Sequence, residues 1–361
     1  MAIRLTPALL RRGFEIFVLI SLVGFGVTLF YGRKDPGAWV AAIGQIRWEW
    51  LLAGVGVAAL DWVGGGLRLW VCVREVHPRP PLGGMILAGG MGAWAAYLTP
   101  LNSGAAPMMM YTMKRFGVPL PVGVTATFLT FVATVLFFAI AGPLAIVLGG
   151  GRSLGAKDAL LGLSLYDVFL GTIWIFAGLG ALFLVVIFFP GLARDALHRV
   201  TGAIGRRRPA LQARLARLEH GIDSAHRSVR AFATPRGMLA LAWATLLSGP
   251  SHGNKLLAGY VAMRALGIEA HFVDVLLLQT MITFLLYFAP TPGASGIGEV
   301  LSALIMASYI PRPLTPLYTL IWRCILSYFT IAVGAVVFSS WVRQGLRAIE
   351  EEPEPEPAPA G

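Results

Sequence analysis

The chain has 361 residues, of which 57% are hydrophobic and 13% are charged, and its mean hydropathy is +0.72. A soluble globular protein carries about 25% charged residues, so the composition excludes that class and predicts an all-α polytopic membrane protein. Most of the net charge of +11 falls in one loop, which favours membrane topology over nucleic-acid binding as its cause. Cys72 and Cys324 each lie inside an apolar run and predict no disulfide framework and no metal site.

The first two predicted spans are long apolar runs. Residues 1–13 carry three arginines and are expected to be cytoplasmic; the run 14–31 that follows fits either a signal peptide or a retained helix. We expect a retained helix, because no small-x-small cleavage site follows it. The second span, 48–73, contains Asp61 and Arg68, which lie about 10 Å apart on one helix face. Its run of three glycines, 64–66, would let another helix approach closely.

A short apolar segment, residues 82–98, ends in a stretch rich in proline, glycine and small polar residues. We predict that residues 82–116 form a re-entrant hairpin, because two full spans would each have fewer than about 20 residues. Two strongly kinked full spans are the alternative, and charge alone does not exclude them. The candidate substrate-binding residues of this stretch are Tyr97, Asn102 and Ser103.

The middle of the chain holds two more predicted spans, 118–149 and 168–189, joined by the polar connector 150–167. Residues 191–236 then carry ten arginines against three acidic residues, a net charge of +7. Apolar residues recur in this segment at spacings of three and four, which predicts a basic amphipathic helix. It either packs on the cytoplasmic face of the bundle or binds an anionic membrane surface, and the two are compatible.

A fifth span, 237–263, is interrupted by Gly249-Pro250 and carries His252 and Lys255 on one face. These two side chains either form a polar cavity wall, or Lys255 lies near the outer end of the span and extends its ammonium group to water. The sequence leaves both interpretations open.

The apolar run 272–288 leads into a segment that cannot continue a helix, since two prolines and three glycines stand within residues 289–299. We predict a second re-entrant hairpin over residues 272–311. In lipid, broken backbone is tolerated only where it is buried in protein or lines a wet cavity, so this break is the best candidate for a working site. Its candidate substrate-binding residues are Tyr287, Gly293 and Gly296.

The last predicted span covers residues 314–341, and the acidic, proline-rich tail 342–361 is predicted to be disordered. If the N-terminus is cytoplasmic, the arginine-rich segment 191–236 and the C-terminus also lie inside, as the positive-inside rule requires. The sequence thus predicts an inner (plasma) membrane protein with about six transmembrane helices. Its two hairpins enter from opposite faces, as in inverted-repeat transporters.

Three charged side chains within the apolar runs are candidate substrate contacts: Glu299, Arg323 and Arg68. Glu299 either binds a cationic head group or a coupling proton, or it caps the returning helix. Arg323 and Arg68 either bind a phosphate through the planar guanidinium fork or form structural ion pairs, and Glu299 is the candidate partner of Arg323. The chain has no P-loop, zincin or nucleophile-elbow motif, and we expect no cofactor, no metal and no enzyme activity.

The segment 290–299 resembles the P-x-P-G-G-x-G-x-x-E motif of the flippase-like membrane domain family, best known as the membrane region of lysylphosphatidylglycerol synthases. Ala294-Ser295 stands where the family usually has a tighter Gly-Gly, and Ala105 stands where a glutamate is expected in the earlier break. Arg323 resembles the family's arginine in the last helix. The resemblance implies a flippase for a phospholipid or polyprenyl-linked lipid, and the missing acid leaves a phosphate-dominated substrate more open.

Two alternatives stay open: an integral lipid-modifying enzyme, such as a head-group transferase, and an ion-coupled small-solute transporter. An enzyme needs carboxylates or histidines clustered at one depth, and here they are scattered. No soluble synthase domain accompanies the motif, so lysyl transfer is not implied. The sequence does not identify the lipid, the energy coupling or the oligomeric state, and a homodimer is among the states it allows.

Overall fold

The computed structural model describes residues 7–32, 36–147, 234–287 and 289–350, with scattered positions between 159 and 199. Nearly all of these residues are helical, which confirms the predicted all-α polytopic membrane protein. The predicted segments that lie wholly or mostly outside the described residues are 1–6, the connector 150–167, the span 168–189, the basic segment 191–236 and the end of the tail, 351–361.

In chain order the α-helices are α1 (Pro7–Gly32), α2 (Pro36–Gly44), α3 (Trp48–Ala58), α4 (Leu60–Arg74), α5 (Leu82–Tyr97), α6 (Ala105–Arg115), α7 (Leu120–Val147), α8 (Pro235–Ser251), α9 (Gly253–Ala265), α10 (Phe272–Tyr287), α11 (Ile297–Ile305), α12 (Thr315–Arg323) and α13 (Phe329–Glu350). A two-residue antiparallel pair, β1 (Ala159–Leu160) with β2 (Leu163–Ser164), lies between α7 and α8. Short 3-10 turns cover Pro100–Asn102, Pro292–Ala294, Met306–Ser308 and Arg312–Leu314, and a π turn covers Cys324–Tyr328.

Helix boundaries follow the predicted spans closely. Four helical stretches among the described residues are long and apolar enough to cross a membrane: 11–30, 48–74, 120–144 and 312–341. The fifth predicted span is divided between α8 and α9 at His252, directly after the predicted break at Gly249-Pro250. Both predicted hairpins are helix–break–helix elements, α5 with α6 and α10 with α11.

Two boundaries differ from the prediction. α13 runs on to Glu350, so the tail predicted to be disordered from residue 342 is helical over its first nine residues. Residues 342–352 contain no proline and most of them are good helix formers, so the helix continues. The helix α2 was not predicted, because nine residues are too few to show a clear helical period.

Residues 48–147 and 240–339, here called the first and second halves, repeat one helical pattern at a separation of 192 positions. The sequence Thr-Pro-x-x-Ser-Gly occurs at residues 99–104 and again at 291–296, and two prolines framing one residue occur at 119–121 and again at 311–313. The helices after the breaks keep this separation, since α6 begins at Ala105 and α11 begins at Ile297, whereas both ends of α5 and α10 are 190 positions apart. The chain therefore contains an internal repeat. In its register, Tyr97 is equivalent to residue 289, two positions after Tyr287.

The two breaks share the backbone conformation of their first residues and differ at the serine and glycine that follow. Ser103 and Gly104 are helical, with φ −63° and −77°, whereas Ser295 is extended with ψ 145° and Gly296 lies at φ 76°. In each break, a proline is followed by two residues at positive φ: Leu101 (52°) and Asn102 (54°) in the first break, Gly293 (55°) and Ala294 (53°) in the second. For residues other than glycine the left-handed conformation costs roughly 1–2 kcal/mol each. The threonine before each proline, Thr99 or Thr291, makes a hydrogen bond across its break, to the Gly104 amide at 2.8 Å and to the Ser295 carbonyl at 2.9 Å.

The two halves meet at these breaks. The first break, residues 98–104, contacts the second break, residues 289–296, and a Cβ on Gly293 would lie 2.8 Å from the Tyr97 carbonyl oxygen. The starts of α4 and α9, which are equivalent elements, also meet, because a Cβ on Gly253 would lie 2.5 Å from Leu60. Equivalent elements touch only close to a symmetry axis. This packing is therefore that of two halves related by an approximate two-fold rotation.

Each half completes the core of the other. The core that α4 to α7 build also contains Ala240, Leu241 and Ala244 of α8, whereas the core that α9 to α12 build also contains Ala58 of α3. The close contacts of α4 depend on the glycines that the sequence singled out: a Cβ on Gly66 would lie 2.3 Å from the backbone of Ile86, and one on Gly64 would lie 2.7 Å from the backbone of Ser251.

Candidate functional site

The second break is fixed by a buried ion pair. The guanidinium Nη2 of Arg323, at the end of α12, lies 2.7 Å from Oε2 of Glu299, and both side chains are 1% exposed. Glu299 stands in the first turn of α11, where a carboxylate also interacts favourably with the helix dipole. The pairing predicted from the sequence is thus confirmed. Helix capping, the alternative for Glu299, is limited to this dipole interaction, because no side-chain cap hydrogen bond forms at the start of α11.

Arg323 also binds the backbone of the second break. Its Nη1 donates to the Gly293 carbonyl at 3.0 Å, and its Nη2 donates to the Ala294 carbonyl at 2.8 Å. Both carbonyls belong to the residues at positive φ, which cannot form helical hydrogen bonds there. Arg323 therefore stabilises a conformation that the local sequence alone disfavours. It does so at the cost of a buried Nε and a buried Glu299 Oε1 that have no hydrogen-bond partner among the described residues.

A second buried charge, Asp61 at the start of α4, collects donors from both halves. Its Oδ1 accepts from Lys255 Nζ of α9 at 2.9 Å. Its Oδ2 accepts from Tyr97 Oη at 2.8 Å, from Asn254 Nδ2 at 2.7 Å and from Thr330 Oγ1 at 3.2 Å. Because a buried carboxylate is costly unless it is paired and hydrogen-bonded, these four donors explain how Asp61 is tolerated.

The π turn after Arg323 joins the two ion pairs. Its Leu326 carbonyl accepts from Asn254 Nδ2 at 2.8 Å, and Asn254 also binds Asp61. A π turn frees a backbone carbonyl for an outside donor and occurs often at functional sites. The chain that leads from Arg323 to Thr330 therefore contacts both ion pairs within two turns of one helix.

Between the two breaks lies a partly open cavity whose enclosed volume is about 40 Å³. Its lining residues are Tyr97, Asn102, Lys255, Thr283, Leu286, Tyr287, Gly293, Ala294 and Leu326. Among the described residues that line the cavity, Lys255 is the one cation and none is a carboxylate. The Lys255 side chain is 17% exposed and its Nζ lies 5.5 Å from the centre of the Tyr97 ring, so its charge faces the cavity over an aromatic surface.

The structure brings together five of the eleven candidate residues at the cavity: Tyr97, Asn102, Lys255, Tyr287 and Gly293. Glu299 and Arg323 lie behind its wall and hold the backbone of the second break. Of the two interpretations of Lys255, the cavity wall is the one the structure supports.

The other candidate substrate-binding residues lie outside the cavity lining. Ser103 is half-buried in the first break and outside the lining. Gly296 is also outside the lining and touches α1, since a Cβ on Gly24 would lie 2.8 Å from Gly296 Cα. His252 is buried, with Nδ1 2.8 Å from the Ser248 carbonyl and its ring 6.4 Å from the Tyr287 ring. The His252 ring therefore reaches the cavity only through Tyr287.

Arg68 also lies apart from the cavity. Its Nη1 donates to Thr134 Oγ1 at 2.6 Å and to Ser248 Oγ at 3.2 Å. It forms no bond to Asp61, as their spacing predicted. Gln279 accepts a hydrogen bond from Trp322 Nε1 at 2.9 Å through its side-chain carbonyl oxygen. Arg68 and Gln279 thus connect helices around the cavity.

Residues 15–334 match the model of the family described as the lysylphosphatidylglycerol synthase TM region. The chain belongs to this family. It matches no curated protein and no solved structure. The family match confirms the resemblance drawn from residues 290–299 and Arg323, and it places both ion pairs and the cavity inside the family's membrane region.

The hydrogen-bond network at Asp61 in this membrane region was not predicted from the sequence. Asp61 was noted only as a neighbour of Arg68, and Asn254 and Thr330 were not considered at all. Their contacts join residues 193 and 269 positions apart, and no local pattern announces them. The Thr-Pro-x-x-Ser-Gly repeat was the available signal. In its register of 192 positions, Asp61 is equivalent to Gly253, the first residue of α9, and equivalent elements near the symmetry axis meet.

Proposed function

We propose that this protein is a lipid translocase that moves a phospholipid, or another lipid with a charged head group, between the leaflets of the membrane. The observation that carries the proposal is the cavity where two broken helices meet, with Lys255 as the one charged residue of its described lining. Irregular backbone at membrane depth is tolerated where it lines a polar cavity, and intramembrane charge marks substrate paths. Membership of a family named for lipid synthases supports lipid as the substrate class.

The chemistry of the cavity suits a head group. Its enclosed volume of about 40 Å³ is far below the roughly 300–1,000 Å³ of small-ligand pockets, so a head group would enter only when the two breaks move apart. Lys255 would bind the phosphate, while the hydroxyl and amide groups of Tyr97, Asn102 and Tyr287 offer hydrogen bonds. The acyl chains would stay in the bilayer, beside the exposed apolar side chains of the outer helices.

The two ion pairs would hold this cavity in shape. Asp61 positions Lys255, and Arg323 with Glu299 fixes the second break. Neither carboxylate stands in the lining, so a cationic group of a substrate finds no free acceptor charge there. The transport would be passive or ion-coupled.

Contact between the two breaks supports the predicted topology. If both hairpins crossed the membrane fully from opposite faces, their tips would lie on opposite surfaces, about 30 Å apart. In the structure the tips touch. Contacting tips and a two-fold relation fit re-entrant hairpins that meet near the midplane of an inner membrane, with both termini cytoplasmic.

Head-group exposure in proteoliposomes tests the proposal. The full chain would be reconstituted with fluorescent phosphatidylglycerol, and loss of fluorescence on adding an impermeant quencher would report the lipid reaching the outer leaflet. We expect wild type to exceed empty liposomes and Lys255→Gln to be at least about tenfold slower, since a charge-assisted hydrogen bond is lost.

Arg264→Gln is the matched control, because it removes an arginine of the same helix whose partner, Glu269, is 84% exposed. Wild-type rates equal to those of empty liposomes would overturn the proposal. Chemical conversion of the lipid, seen by mass spectrometry, would point to an enzyme, and gradient-driven uptake of a soluble compound would point to a solute transporter.

A further inference from the structure

Arg68 is a cation within the described apolar helices that neither buried ion pair compensates. It is half-buried in α4, and no carboxylate oxygen of the described residues lies within 4.0 Å of its guanidinium group. Lys255 and Arg323, by contrast, are each neutralised by a carboxylate at less than 3 Å. A cation inside a membrane bundle is costly unless an anion accompanies it. Arg68 therefore needs a negative charge that the described part of the protein does not supply.

The partners of Arg68 hold its guanidinium group in one orientation. Nη1 donates to Thr134 Oγ1 of α7 at 2.6 Å and to Ser248 Oγ of α8 at 3.2 Å. Both hydroxyl groups donate their own protons to backbone carbonyls four residues earlier, Thr130 and Ala244, so they act toward Arg68 purely as acceptors. Three helices thus fix Nη1, and the direction of the remaining donors follows from the planarity of the group.

The opposite edge of the guanidinium group has no protein partner among the described residues. Nε is buried and unpaired, and Nη2 makes no hydrogen bond there. The Nε and Nη2 donors of an arginine lie parallel and match two oxygens of one phosphate or carboxylate group. Nε and Nη2 are therefore the donors of Arg68 that remain for an anion.

We propose that Arg68, Thr134 and Ser248 form an anion subsite for the phosphate of the transported lipid, separate from the cavity at Lys255. This inference rests on the proposed function and names its substrate class as lipids with net negative head groups. A zwitterionic lipid would bring a second cation into an interior whose carboxylates are already paired, whereas an anionic lipid compensates Arg68. The subsite makes the translocase selective for anionic lipids.

Arg68 lies behind the residues that line the cavity. Ser248, which accepts from Arg68, also presents its carbonyl to His252 Nδ1 at 2.8 Å, and the His252 ring lies 6.4 Å from that of Tyr287 in the cavity lining. The internal repeat places Tyr260 at the position equivalent to Arg68, so one half alone carries the subsite. In the predicted topology α4 descends toward the cytoplasm, and a phosphate would meet Arg68 and Lys255 in succession.

Binding is tested on the full chain purified in a neutral detergent, by the shift of its melting temperature on adding phosphatidylglycerol, phosphatidylcholine or inorganic phosphate. We expect phosphatidylglycerol to raise the melting temperature of wild type clearly more than phosphatidylcholine does. Arg68→Gln, which keeps hydrogen-bonding capacity without charge, should lose that difference, and Arg68→Lys should retain part of it. Stabilisation by inorganic phosphate alone, lost in Arg68→Gln, would identify free phosphate as the ligand and overturn the lipid assignment.

Translocation rates are the second test of the Arg68 subsite. Arg68→Gln should slow translocation of phosphatidylglycerol at least about tenfold while changing that of phosphatidylcholine by less than about twofold. Arg115→Gln is the control, because it removes an exposed arginine of the first half. If Arg68→Gln does not fold, Arg68→Lys carries the test, since it keeps the charge and loses the fork. Equal lipid preference in wild type and the folded variant overturns the inference.

The two arms separate this inference from the proposed function. If wild type binds phosphatidylglycerol through Arg68 but translocates no lipid, the proposed function fails and the subsite stands. If wild type translocates both lipids and Arg68→Gln translocates them with unchanged preference, the function stands and the subsite fails.

Discussion

Arg323 and Glu299 are joined at 2.7 Å in a setting where each side chain is 1% exposed. The pair belongs to one half of the molecule alone. At the equivalent positions, 192 residues earlier, stand Phe131 and Pro107, which can form no such pair. The second break is therefore held by charge, whereas the first is held by the hydrogen bonds of Thr99 and by packing.

Removing one member of this pair should destabilise the protein strongly. Glu299→Gln leaves Arg323 buried without a counter-charge, which costs about 3–5 kcal/mol. Arg323→Gln should cost at least as much, because the Gly293 and Ala294 carbonyls also lose their donor. Unfolding in detergent measures both. Arg11→Ala, which breaks an exposed pair with Glu15, should change stability by less than about 1 kcal/mol.

The double variant Glu299→Gln/Arg323→Gln completes a thermodynamic cycle for the pair. We expect it to be more stable than either single variant, since no uncompensated charge remains, and still to translocate lipid slowly because the break is no longer held. Additive losses in the cycle would show that the two charges do not interact in the folded protein. Wild-type translocation by both single variants would remove them from the site.

Two glycines of α1 provide a second, internally controlled test. A Cβ on Gly24 would lie 2.8 Å from Gly296 Cα in the second break, whereas a Cβ on Gly26 meets nothing within 4 Å. Gly24→Ala must push α1 away from the break and should cost roughly 1–3 kcal/mol. Gly26→Ala should be neutral or stabilise by up to about 1 kcal/mol, because alanine favours the helix. Melting temperatures of the two variants compare them directly, and equal values would contradict the packing of α1 on the break.

Prediction from sequence succeeded where the signal was local. Proline and glycine marked both breaks and the division at His252, and hydropathy marked the spans, because these depend on neighbouring residues. The pair of Arg323 with Glu299 was found because both carry charge inside apolar runs. The network at Asp61 was missed because its donors come from three distant elements, and their meeting depends on the two-fold packing of the halves.

Backbone strain at the second break gives a third test. Gly293 has φ 55° and a Cβ there would lie 2.8 Å from the Tyr97 carbonyl oxygen, so Gly293→Ala adds both conformational and steric cost. We expect a loss of roughly 2–4 kcal/mol, with slower translocation because the Tyr97 side of the cavity must shift. Ala294, at φ 53°, is already in the left-handed region, and Ala294→Gly should stabilise by up to about 1 kcal/mol or be neutral. Chemical unfolding of both variants decides between this ranking and its reverse.

Cysteine labelling tests whether the hairpins are re-entrant. In a variant with Cys72 and Cys324 replaced, we expect Arg79→Cys to react with an impermeant maleimide from the cytoplasmic face and Glu269→Cys from the opposite face, because the positive-inside rule places these exposed positions there. Leu101→Cys, at the tip of the first hairpin, is the decisive position. Leu101 is 59% exposed, but at the midplane that surface faces the membrane interior, so the cysteine should resist the impermeant reagent from both faces and react with a small permeant one. Full labelling of Leu101→Cys from the face opposite to Arg79→Cys would show that α5 and α6 cross the membrane completely, and the cavity would then lie at the surface rather than at the midplane.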